Sequence, residues 1–150
     1  MNGAGSFAWR GSASSKDMAM RPKFSLSFED AQTVAAACLE AARQQEVEVS
    51  VAVVDDSGAL LCFSRMDGAR AYTVELASQK ARTSASVGVP TGVIEAMSRE
   101  RPGQSGGSNA GRGGVPVHYK GQCAGAVGVS GAKPDIDEMI AEAGIAVLTG

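Results

Sequence analysis

Apolar residues follow two different rhythms along this chain. From Phe28 they recur at three- and four-residue spacing, as Ala31, Val34, Ala35, Cys38, Leu39 and Ala42, while Glu29, Arg43 and Gln44 fall off that stripe. This predicts an amphipathic helix, and Ser27 with Asp30 three residues on supplies a capping-box start. Residues 47–54 are nearly continuous and β-branched, which predicts a strand. The turn sequence Asp55-Asp56-Ser57-Gly58 and a second apolar run over residues 59–65 complete a hairpin. Helical spacing returns over residues 73–87, with Val74, Ala77, Ala81, Ser84 and Ala85 on the inner face, and again in a short piece over 91–99. Residues 115–119, the tight turn Lys120-Gly121 and residues 122–130 predict a second hairpin. Pro134 suits the first position of a last helix, and Asp135, Asp137 and Glu138 place negative charge at its positive end. Its expected buried stripe is Ile136, Met139, Ile140, Ala143 and Val147.

The order of helix, hairpin, two helices, hairpin and helix predicts an α+β domain. Its sheet is mainly antiparallel, has at least four strands and is flanked by helices. No alternating strand–helix rhythm supports a doubly wound parallel sheet. At 150 residues the chain is one domain's worth of protein, expected over residues 22–150. Residues 1–21 are rich in Gly, Ser and Ala and read as a tail, with Phe7 and Trp9 as the side chains that would dock it. With 19 glycines and only 5% aromatic residues, the core must be built from small aliphatic side chains and close backbone approaches.

A net charge of −2 argues against a dedicated nucleic-acid binder. No apolar stretch approaches the roughly 18–20 residues needed to cross a bilayer, so no membrane partner is expected. Cys38, Cys62 and Cys123 form no Cys-x-x-Cys pair, which excludes a zinc signature and a disulfide framework and leaves three small buried hydrophobes. That usage fits a reducing compartment, and without a signal-peptide pattern at the start the expected location is cytoplasmic.

Ten of the 19 glycines lie between Gly103 and Gly131, and Gly113-Gly114 stand directly before a strand. Read as chemistry, this stretch is an anion cradle of backbone N–H groups with Arg112 beside it; read as architecture, it is a surface loop ending in a close backbone approach. It is not a P-loop, because Arg112-Gly113 stands where Lys-Ser/Thr is required, nor a dinucleotide-binding fingerprint, because a strand rather than a helix follows it. His118 is the only histidine, which excludes a multi-histidine metal site and leaves a haem ligand, a general base or an ordinary surface imidazole. Lys80 has no acid at the favourable four-residue spacing on its helix. Arg65, Lys80, Arg112 and His118 are therefore candidates to converge on an anionic ligand, with Met66 as either a soft ligand or core filler.

The segments Arg65-Met66-Asp67-Gly68-Ala69, Ala77-Ser78-Gln79-Lys80-Ala81-Arg82-Thr83, Gly113-Gly114-Val115-Pro116 and 125–131 occur together and in order, followed by Asp137-Glu138 and Ala143-Gly144. In this combination the chain resembles the GlcG/HbpS family of haem-binding-like proteins, to which the C-terminal domain of PduO-type adenosyltransferases is related. The resemblance spans residues 26–148. It implies a profilin-like fold, a homo-oligomer that is often an octamer, and a small-molecule ligand with haem or another tetrapyrrole leading. Its pocket would be formed by Arg65, Met66, Asp67, Lys80, Arg112, Gly113, Gly114, Val115 and His118. The cations would take the propionates, Val115 and Met66 the ring, and His118 the axial position. Two alternatives stand beside it. One is a metal-independent enzyme of lyase or isomerase type on a carboxylate or carbonyl metabolite, with Lys80 or His118 as acid–base group. The other is an oligomeric accessory subunit of a catabolic enzyme system. Arg70-Ala71-Tyr72 departs from the small apolar residues usual after the Asp-Gly-Ala, which points to an altered ligand.

Overall fold

The computed structural model describes residues 18–101 and 111–149; Phe7, Trp9 and most of the glycine-rich stretch before Gly111 lie outside them. Helix α1 (Phe28–Gln44) starts on the capping box: Ser27 Oγ accepts from the Asp30 N–H at 3.0 Å, and Asp30 Oδ2 accepts from the Ser27 N–H at 3.3 Å. It closes with Glu46 at a left-handed φ of 55° and the Val47 N–H bonded back to the Ala42 carbonyl at 3.1 Å. Because Val47 serves this helix end, strand β1 (Ser50–Asp55) begins three residues later than the β-branched run suggests.

Strand β2 (Leu60–Arg65) returns along β1, followed by α2 (Tyr72–Val87) and α3 (Thr91–Glu100). The second hairpin is β3 (Gly114–Tyr119) and β4 (Gln122–Ser130), and α4 (Pro134–Thr149) ends the chain. The four strands form one sheet in the order β2-β1-β4-β3, with every neighbouring pair antiparallel. The expected α+β architecture is thus observed. β3 is an edge strand, where Pro116 removes no needed ladder bond.

Alternation along the strands sorts the core into two layers. Val51, Val53, Val115, Val117, Val127 and Val129 face α1 and α4, packing on Val34, Cys38 and Ile140. Ala52, Val54 and Ala126 face α2, where Ala77, Ala81 and Ala85 meet them. The second layer is thin because almost every contributor is alanine or glycine: a Cβ on Gly128 would stand 2.0 Å from the Ala77 carbonyl oxygen.

The last helix is rotated from its expected stripe. Met139 and Val147 are exposed, and Ile140 of the expected stripe shares the inner face with Asp137, Ala141 and Gly144. Gly144 lets α4 lie against α1, since a Cβ there would meet Cys38 Sγ at 2.2 Å. At the other end of the helix, Asp137 turns inward to a buried partner.

Candidate functional site

That partner is Lys80. Its ammonium donates to the Val129 carbonyl at 2.8 Å and to Asp137 Oδ2 at 3.2 Å, and the two side chains are only 6% and 4% exposed. Asp137 Oδ1 also accepts the Ala132 N–H at 2.9 Å. Burial pushes the Asp137 carboxyl above its ordinary range, against the pull of Lys80 and of the N–H groups of Ala132 and Gly131. The node joins the middle of α2, the end of β4 and the first turn of α4.

Gly113 and Gly114 lie against this node, where the sequence reading expects a ligand pocket. A Cβ on Gly113 would stand 2.9 Å from Lys80 Nζ and 2.5 Å from the Val129 carbonyl oxygen, and one on Gly114 would stand 2.4 Å from the Lys80 carbonyl oxygen. What the glycines admit is α2 and the lysine themselves. The Gly114 N–H is donated to Thr91 Oγ1 at 2.9 Å, and the Gly113 carbonyl accepts from the Val129 N–H at 3.0 Å. Val115 is buried in the core. Lys80, Gly113, Gly114 and Val115 are therefore brought together, as a packed junction.

The other candidates lie elsewhere on the single chain. Arg112 pairs through Nε with Glu138 Oε2 at 2.9 Å and lines an open cleft against α3, with Pro90, Val93 and Arg99. Arg65, Met66 and Asp67 line a separate shallow cleft with Leu39, Arg43 and Glu48. The Met66 sulfur accepts from the Val49 N–H at 3.4 Å, so it also fixes the entry to β1.

His118 stands at the far end of β3 from the glycine pair, four residues or roughly 13 Å along the strand. It pairs with Cys123 across the hairpin, just past a register shift at Val117. Cys123 Sγ points to the Ala85 carbonyl on α2, and His118 Nε2 lies 3.0 Å from the Gly88 carbonyl at the C-terminal end of α2. The imidazole is thus exposed on the α2 face of the sheet. A carbonyl can only accept, so Nε2 carries the proton and Nδ1 keeps the lone pair in the neutral ring.

On the opposite face of the same hairpin is an open cleft of about 290 Å³. Phe24, Leu26, Val117, Tyr119, Ala124 and Leu148 give it apolar walls, and Asp30 and His118 also line it. The extended segment before α1 builds one side: the Phe24 N–H donates to Gln122 Oε1, the Leu26 N–H to the Ala124 carbonyl at 2.9 Å, and Lys23 pairs with Asp56 at 3.4 Å. The Phe24 and Tyr119 rings meet edge to face at 4.8 Å. Sequence reasoning missed this cleft, because residues 22–26 have no period and their partners lie a hundred positions away. The Tyr119-Lys120-Gly121 turn was the available signal.

The chain matches the family model described as "Haem degrading protein HbpS-like" over residues 26–146. It is 38% identical to Protein GlcG of Escherichia coli K12, in an alignment covering 74% of this chain and 85% of that protein. Among solved structures it is similar to HbpS of Streptomyces reticuli in a doubly substituted form, with TM-score 0.83 and 35% identity, covering 94% of this chain and 97% of the other. It is also similar to PduOC, solved as a complex with heme, with TM-score 0.71 and 28% identity, covering 81% of this chain and 94% of that one. The antiparallel sheet, its helical cover and these matches agree: the chain belongs to the HbpS-like family.

Proposed function

We propose that this protein binds a tetrapyrrole, haem first among them, through His118, in a homo-oligomer. The observation that carries the reading is the hydrogen bond from His118 Nε2 to the Gly88 carbonyl. Metal-binding histidines are commonly held in this way, with one ring nitrogen on a backbone carbonyl and the other free for the metal. The family match and the heme complex of the related PduOC support the choice of ligand.

The residues fit the group in part. His118 would offer an exposed ring nitrogen to the iron, its orientation set by the Gly88 carbonyl, and Val87, one residue before Gly88, is 57% exposed as an apolar neighbour. The imidazole lies on an open surface, so a second copy of the chain would supply the remaining wall. Arg65, Lys80 and Arg112 do not gather around His118 within one chain, and Lys80 is committed to Asp137. Haem itself would bring redox and ligand-binding chemistry at iron. What this chain contributes is the donor atom and its orientation.

Titration with hemin tests the reading. A Soret band should develop with the wild-type protein, and His118→Ala should shift it and weaken binding at least about tenfold. An identical spectrum and affinity in the variant would remove His118 from the site.

A further inference from the structure

We infer that the cleft on the other face of the β3–β4 hairpin is a second binding site, one for a small monocarboxylic acid with an apolar body, and that Lys120 anchors the carboxylate. Two observations concern Lys120 and a third the cleft beside it. First, its backbone adopts φ 48°, followed by Gly121 at 78°, a turn in which the first central position favours Asn, Asp or Gly. Lysine is not among the residues that conformation favours.

Second, the turn sets its ammonium 5.4 Å from the Tyr119 ring centre and 5.7 Å from that of Phe24, within cation–π range of both. Those two rings form one wall of the cleft and are 50% and 38% exposed, so each has apolar area left to cover. Third, the remaining walls are aliphatic, from Leu26, Val117 and Leu148, and the volume of about 290 Å³ is at the small end of ligand pockets. A single ring or short chain matches it; a macrocycle does not.

Charge placement gives the orientation. Asp30 is the acidic group lining the cleft, and its Oδ2 already accepts the Ser27 N–H in the α1 cap. Lys23, on the segment that forms the wall, is paired with Asp56. Lys120, held over the Phe24 and Tyr119 rings that line the cleft, is therefore the group to take the ligand's carboxylate, with the apolar end against Leu26 and Leu148. His118 also lines this cleft, but its Nε2 is turned to the Gly88 carbonyl at the end of α2.

The test is calorimetric titration of the full chain with benzoate and with neutral benzamide, in the wild type and in Lys120→Asn. The substitution removes the charge and places a residue suited to the turn, so the variant should fold at least as stably as the wild type. Benzoate should bind the wild type and weaken about fivefold in the variant. Benzamide should bind both proteins alike. Failure of benzoate to bind the wild type at millimolar concentration, or equal affinity in the two proteins, would overturn the site. Hemin binding through His118 should be the same in both, so the two readings stand or fall separately.

Discussion

At the scale of single residues, Lys80 shows how a side chain can be conspicuous for one reason and placed for another. On its own helix it lacks an acid at the right spacing, and the missing partner is Asp137, 57 residues later, at 3.2 Å and buried. Lys80→Met leaves that carboxylate inside without its counter-charge and should cost about 3–5 kcal/mol in urea unfolding. Adding Asp137→Asn removes the stranded charge while keeping an acceptor for the Ala132 N–H, and should recover part of the loss. The pH dependence has a definite sign. A buried carboxyl raised above its unfolded value takes up protons more readily in the folded state, so the deficit of Lys80→Met should shrink as the pH falls through that raised value. A lysine serving only as an acid–base group would show none of this.

At the scale of elements, legibility followed the range of the interactions. The start of α1 could be read because Ser27 and Asp30 satisfy each other three residues apart. The bounds of β4 and the turn at Lys120-Gly121 could be read for the same local reason. The inner face of α4 could not, because apolar periodicity favours Met139 and Val147 while a distant lysine and the clearance over Cys38 turn the helix toward Asp137 and Gly144. The glycine pair at β3 was legible as a close approach, but not what approaches. Gly114 stands opposite Gly128 in the ladder, and a side chain on either would strike the backbone of α2. Gly128→Ala should therefore cost about 2–3 kcal/mol, since the atoms it meets, the Ala77 carbonyl and the Ala81 nitrogen, belong to a helix axis and not to a side chain that can swing away. Chemical denaturation with an unchanged m-value would verify it; a neutral result would show that α2 can lift from the sheet.

At the scale of the molecule, the candidate residues fall into a packed junction and three separate surfaces, and the apolar surface left uncovered is considerable. Val87, Val93 and Met97 are 57%, 45% and 57% exposed around the end of α2 and along α3. Apolar side chains left out in this way mark contact surfaces, and His118 lies at the same end of α2. Light scattering should return a mass that is a multiple of the 15.2 kDa chain, with eight copies the expectation from the family resemblance. A monomer at micromolar concentration would remove the second wall on which the His118 reading relies.

The strand order has a consequence for how the molecule is made. The two hairpins close over short turns, but the middle seam of the sheet joins β1 to β4, with Ser50 opposite Ser130. As the chain leaves the ribosome, Val51 and Val53 can meet their second strand only after Val129 and Val127, more than about seventy residues further on, have been synthesised. The amino-terminal half must wait with one long strand edge bare. Slow elongation would prolong that wait, and chaperones have their clearest opening during it.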